Sequence, residues 1–375
     1  MKKLLKITAV ICLVAMLLTL TAACGSTPSN PTAAPQDDKP ADLPHYKIGL
    51  VAFTNTGLWW ERCHDAVNAL AKEFNCEVSI AYGDTPDAVI AAVENLCSAG
   101  VDGIIAMATG GVTPRLVEIC QASNTFLVGG YNDCTIDAGY ESIASNPYWV
   151  GNVYFDEYAT SYSIAQDMIN NGAKNFVIFG LPPGISTSFD LRATGAMKAV
   201  EDAGLTAVEV RSFALPEIAN TFLTQYPDTD AVYSIMYATT YITNPIMSAG
   251  YAGKLQVSTY DDEGDTVAAF DTGLLTHATE GGNAQAQVCF ALLYNALGGQ
   301  KLTNADGTAP HILLPYNIMK SSAEYTTFLE HSTNGKYPYS LDEVKAMMKA
   351  YNPDVTVESI EAFTSVFSTE WLANH

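Results

Sequence analysis

Short apolar runs alternate with longer amphipathic ones from residue 47 onward. Lys47-Ile48-Gly49-Leu50-Val51-Ala52-Phe53 is followed by a turn-like Thr54-Asn55-Thr56-Gly57 and an amphipathic stretch from Leu58 to Phe74. Val78 to Tyr82 then reads as a strand and Pro86 to Ser98 as a helix with Val89, Val93 and Leu96 on one side. Residues 101–107 give a third strand, 113–123 a third helix and 126–130 a fourth strand. Such strands lack a polar alternate face, and the segments between them carry helical periodicity. That combination predicts parallel sheets covered on both faces.

A second series starts after Trp149-Val150-Gly151-Asn152-Val153. It predicts helix 156–170, strand 176–179, helix 187–202, strand 206–213, helix 216–225, strand 231–236, helix 240–249 and strand 255–259. Gly172, Gly204 and Gly250 stand where a chain leaves a helix in left-handed geometry. Two series in one chain imply two similar layered lobes. The last third is less regular, with a strongly apolar helix at 283–297, a short strand at 312–315 and helices at 321–332, 340–350 and 357–368. Ser340 through Glu343 is a capping-box signature.

The pattern is different at the start. Three lysines precede an apolar stretch from Ile7 to Leu20, and small residues then lead into Cys24. The stretch is too short and wrongly flanked for a membrane span and reads as an export signal over residues 1–23. It resembles a bacterial lipoprotein signal, which implies cleavage before Cys24, lipid attachment there and anchoring at the outer face of the cytoplasmic membrane. Residues 24–44 are rich in proline and small polar residues and lack aromatics, so they read as a tether. No second apolar run approaches membrane-spanning length.

Charge narrows the partners. With 18 basic and 40 acidic side chains the formal charge is -22, which disfavours nucleic acid and anionic lipid surfaces. Cys63, Cys76, Cys97, Cys120, Cys134 and Cys289 lack a short metal-binding spacing and read mostly as small buried hydrophobes, with one disulfide left open. No G-x-G-x-x-G, G-x-S-x-G, H-E-x-x-H or P-loop occurs, and the histidines form no cluster, so neither an enzyme nor a cofactor is expected.

Four segments carry a family resemblance: KIGLVAFTNTGLWWERCHDAVNALAKEF, ENLCSAGVDGIIAMA, SFDLRATGAMKAVEDAGL and VSTYDDEGDTVAAFDTGLL. In this order and spacing they resemble the periplasmic binding proteins of the ribose and galactose type, the receptors of sugar-importing ABC transporters, whose ligand core DNA-binding repressors of the LacI type share. The resemblance implies an α/β fold of two Rossmann-like lobes with parallel sheets joined by three crossovers, near Tyr154-Asp156, Glu280-Gly282 and Pro315-Ile318. The lobes would comprise residues 45–154 with 283–314, and 156–280 with 318–375. A monomer would capture a small solute, a sugar or sugar-containing compound, for an ABC permease at the surface of a Gram-positive cell. A chemosensory or two-component partner is the alternative.

Ligands of open parallel sheets meet the loops beyond the carboxyl ends of the strands. Trp59 and Trp60 hold the place of the family's aromatic pair, although Gly57-Leu58 replaces its usual asparagine-proline. Arg192 and Asp261 match its ligand arginine and aspartate. Tyr82, Asp84, Asn132, Asp133, Tyr154, Tyr237 and Glu280 complete the expected cleft. Tyrosines and an acid in place of amides suggest a ligand with an aromatic ring or a positive centre.

Overall fold

The computed structural model describes residues 43–261 and 264–375. The expected leader, Cys24 and nearly all of the tether lie outside the described residues. Leu43–His375 forms one compact unit, and no helix among the described residues is long and apolar enough to cross a membrane.

Two six-stranded sheets organise that unit. The first contains β1 (Tyr46–Ala52), β2 (Cys76–Tyr82), β3 (Gly103–Ala106), β4 (Phe126–Gly129), β5 (Trp149–Tyr154) and β11 (His311–Leu313), in the order β11-β5-β4-β3-β1-β2. The second contains β6 (Asn175–Gly180), β7 (Thr206–Arg211), β8 (Ala231–Ser234), β9 (Gln256–Tyr260), β10 (His277–Glu280) and β12 (Asn317–Met319), in the order β12-β10-β9-β8-β6-β7. Every pairing is parallel except β12 against β10, so the all-parallel expectation fails at that edge. β12 arrives directly from β11 by a short connection, with no helix to carry it back for a parallel return.

Continuous apolar strands arise because each sheet is buried on both sides. In β1, Ile48, Leu50 and Ala52 enter one core while Val51 enters the other, following the two-residue alternation of side chains. Helices Leu58–Glu73 and Gly282–Leu297 cover one face of the first sheet, and Pro86–Ser98 and Thr113–Ala122 the other. In the second lobe, helix Glu157–Asn170 packs against helix Thr187–Asp202. Gly195 permits that contact, because a Cβ there would lie 2.3 Å from the Tyr158 carbonyl oxygen.

The chain changes lobe between β5 and helix Glu157–Asn170, between β10 and helix Gly282–Leu297, and between β11 and β12. These are the three expected crossovers. The expected helix 240–249 is instead two short helices, Ala238–Tyr241 and Thr243–Ser248.

The C-terminal segment departs from its expected place in the second lobe alone. Helix Ser322–Glu330 packs on helix Thr266–Asp271 of the second lobe, with Tyr325 and Phe270 ring centroids 6.3 Å apart. The chain then covers helix Gly282–Leu297 of the first lobe. Gln287 exchanges two hydrogen bonds with the backbone of Tyr339, and Asn295 donates to the Met347 carbonyl and accepts from the Lys349 amide. Helix Leu341–Ala346, opened by the expected Ser340–Glu343 capping box, lies here. Helix Val357–Thr364 packs beside β11, and helix Thr369–Ala373 returns to β12. This cover explains why Gly282–Leu297 has no exposed polar face: residues 282–296 are all buried, and Gln287 and Asn295 pair with the segment laid over them while Gln285 donates to the Val153 carbonyl of β5.

Candidate functional site

The carboxyl ends of the two sheets face each other across a cavity of about 380 Å³. On the first lobe's side the chain leaves β1 through Gly57, whose φ of 98° favours glycine, and helix Leu58–Glu73 begins at once with both tryptophans. Their rings meet edge to face, centroids 4.5 Å apart, with Tyr131 5.1 Å from Trp59 and Phe53 stacked on Trp60 at 6.2 Å. Leu181, Ile185, Phe189, Met236 and Tyr237 form the opposite wall. Asp84, Thr85, Asn132, Ser186, Thr187 and Asp261 supply polar atoms.

The lobes touch across this space. Asn132 Nδ2 donates to Ser188 Oγ at 2.8 Å, and Arg192 Nη2 donates to the Tyr131 hydroxyl at 2.9 Å. Tyr131 and Asn132 follow β4, while Ser188 and Arg192 lie in the first turns of helix Thr187–Asp202. The arrangement is therefore a closed one, with the cavity held between the lobes.

Arg192 sits beneath the cavity, fully buried. Its Nε donates to Glu157 Oε2 at 2.7 Å, and Nη1 to the Ile235 carbonyl at 3.0 Å and Asp261 Oδ2 at 3.3 Å. Nη2 reaches Glu157 Oε1, the Tyr316 hydroxyl and the Tyr131 hydroxyl. The guanidinium carbon also lies 4.0 Å from the Tyr260 ring centroid. Burial opposes the charge, but Glu157 and its neighbours hold the Arg192 pKa well above its ordinary value. Five N–H groups thus meet acceptors inside the protein. Arg192 is the hub of the floor and does not line the cavity.

Of the other expected residues, Trp59, Trp60, Asp84, Asn132, Tyr237 and Asp261 line the cavity. Tyr82, Asp133, Tyr154 and Glu280 do not. Tyr82 projects 44% exposed from the end of β2. Asp133 accepts from the Thr135 amide and hydroxyl and pairs with His311 at 2.9 Å. Although burial opposes ionisation, these bonds hold the Asp133 carboxyl below its usual range. Tyr154 stacks on the same His311, centroids 4.0 Å apart. Glu280 is buried at the second crossover and pairs with Arg62 at 3.1 Å. Asp133 and Tyr154 thus brace β11 through His311, and Glu280 ties the second crossover to helix Leu58–Glu73 through Arg62.

Sequence reasoning missed Glu157, Tyr131, Tyr316, Phe53 and Phe189. Glu157 carried no signal, since an acid in a first helical turn is ordinary. A stronger signal lies in the backbone. Among the described residues, the positive-φ residues other than glycine are three asparagines, Asn75, Asn124 and Asn334, together with Tyr131 (69°), Tyr237 (43°) and Asp261 (55°). Asparagine tolerates that region and tyrosine does not. Tyr131, Tyr237 and Asp261 follow the carboxyl ends of β4, β8 and β9 and line the cavity, and the two tyrosines, which unlike aspartate rarely adopt that region, place strain where a site is held in shape.

The family model described as a periplasmic binding protein domain matches residues 48–301. The chain belongs to the periplasmic binding protein family. Among solved structures, this family member is similar to GanP, a glucose-galactose binding protein from Geobacillus stearothermophilus, at 16% identity and a TM-score of 0.60, over 74% of this chain and 98% of that one. An ABC transporter periplasmic solute binding protein from Actinobacillus succinogenes with bound D-allose aligns at 18% identity and 0.63, over 75% and 100%. An ABC transporter solute binding protein from Bacillus halodurans with bound myo-inositol aligns at 16% and 0.60, over 76% and 99%. No curated protein sequence matches the chain. The shared fold is that of a non-catalytic binding protein.

Proposed function

We propose that this protein captures a small sugar-type solute outside the cytoplasmic membrane and presents the closed, loaded form to an ABC permease. The observation that carries the proposal is the cavity between the lobes, closed over by the Asn132–Ser188 and Arg192–Tyr131 hydrogen bonds. Ligand contacts made only when both walls meet bias the equilibrium toward that form. Aromatic faces offer contact to the apolar face of a sugar ring, and Asp84, Asn132 and Asp261 offer acceptors and donors for hydroxyls. The solved relatives with bound D-allose and myo-inositol support this choice of solute class.

The lipoprotein-like leader supports anchoring through Cys24, with residues 24–44 as the tether; the working unit in this reading is a monomer. Anchoring retains the receptor at the surface of a Gram-positive cell. The test is a thermal-shift screen of residues 43–375 against pentoses, hexoses, polyols, amino sugars and nucleosides. Ligand at one hundred times its Kd adds about 2.7 kcal/mol to stability, and the proposal expects one class to raise Tm by several degrees. The same rise in a Trp60→Ala variant would place binding elsewhere, and a flat screen of folded protein would refute solute capture.

A further inference from the structure

We infer that the captured solute carries a protonated amine on its hydroxylated body. This rests on the solute-capture reading and narrows it. Two carboxylates, Asp84 and Asp261, line the cavity, and no lysine, arginine or histidine lines it among the described residues. The nearest cation, Arg192, meets two buried carboxylates at once, Glu157 and Asp261. Its remaining N–H groups are taken by Ile235, Tyr131 and Tyr316. No guanidinium fork is left for a solute carboxylate or phosphate. An anion entering this space would lose its hydration without gaining a counter-charge.

The walls favour the opposite sign. Phe53, Trp60, Tyr131, Phe189 and Tyr237 bring aromatic rings to the cavity from both lobes, and ring faces attract cations, more strongly as water is excluded. The floor already shows the interaction, with the Arg192 guanidinium against the Tyr260 face. Asp84 is exposed and makes no hydrogen bond with a described residue, so its carboxylate is available to an ammonium group. The chain's charge of -22 raises the local concentration of cationic solutes.

The test uses matched pairs measured by calorimetry on the full chain without its leader: glucose with glucosamine, galactose with galactosamine and mannose with mannosamine, each with its N-acetyl and uronic acid forms. In the pair that binds, the amine should bind at least about tenfold tighter than its neutral parent, with the N-acetyl form no better than the parent and the acid undetected. Asp84→Asn should bring the ratio of amine to parent close to one. Neutral parents binding as tightly as amines would overturn the inference and leave solute capture standing. No binding to any sugar or amine would overturn both.

A different observation carries a second inference: we propose that residues 322–375 form a clasp that limits how far the lobes separate. The segment holds the second lobe through helix Ser322–Glu330 and through Thr369, which donates toward Asn317 and the Ile318 carbonyl. Between those anchors it holds the first lobe through Tyr337 to the Asp65 carbonyl, Tyr339 to Gln287, and Tyr351 against Phe74. Rotation of one lobe from the other must break an anchor or stretch the two joints of the segment, the loop at Asn334-Gly335 and the turn after Phe367, which packs on Tyr339 before Thr369 returns to the second lobe. Inserting roughly ten glycines and serines at both joints lengthens them while leaving each anchor residue in place. Small-angle scattering of the ligand-free protein should then give a larger radius of gyration than for the unmodified chain, with unfolding stability little changed. Equal radii would overturn the clasp.

Discussion

Beneath the cavity, Arg192, Glu157, Tyr316 and Tyr131 spend their polar atoms on one another. In the walls above, Trp60, Phe53 and Tyr237 present ring surface, and Asp84 is unspent toward the described residues. Floor and wall are built from similar residue types, but the floor side chains meet one another while Asp84 in the wall meets no described residue by a hydrogen bond. Saturation separates a residue that shapes a site from one that greets the solute, and it is read from partners, not from residue identity.

The largest expected effect falls on the floor. Arg192→Ala strands two buried carboxylates and should cost about 3–5 kcal/mol in denaturant unfolding. A stable Arg192→Ala protein that had lost only solute binding would break the distinction. Gly282→Ala sharpens it from behind the wall, because a Cβ there lies 2.4 Å from the Trp59 ring. About 1–3 kcal/mol of overpacking is expected, with weakened solute binding in the same calorimetric assay.

Asp133 offers a smaller, pH-dependent effect. Its folded pKa is depressed, so its contribution is present above the unfolded value of about 3.9 and is lost as pH falls through the lower folded value. Asp133→Asn should therefore flatten the acid limb of a Tm–pH curve below about pH 4 without altering amine preference. The smallest change in stability is expected for Asp84→Asn, within about 0.5 kcal/mol, although the same variant has the clearest consequence for ligand choice.

The alternation of strands and helices was legible in the sequence because both faces of each sheet are buried, leaving β1, β3 and β8 uninterrupted apolar runs. β10 was not: His-Ala-Thr-Glu carries no apolar signal, yet all four residues are buried, since Asp167 pairs with His277 and Arg62 with Glu280. The same dependence on distant partners is why the sequence does not show that Arg192, Asp133, Tyr154 and Glu280 are engaged by Glu157, His311 and Arg62 and do not line the cavity. Trp59, Trp60, Asp84, Asn132, Tyr237 and Asp261 line the cavity because position after a strand suffices to bring a residue to the rim. Nothing local announces that Glu157 will meet Arg192 or that His311 will meet Asp133.

Helix Gly282–Leu297 gives the C-terminal segment a meaning for where the molecule ends. The family match stops at residue 301, and a boundary drawn there would remove the partners of Gln287 and Asn295 and uncover Phe74 beside Tyr351. The shortened chain would carry a bare apolar flank of the kind that seeks a second molecule. The match and the compact unit thus have different borders in this protein: an edge strand of each sheet and the skin laid over Gly282–Leu297 both lie beyond residue 301.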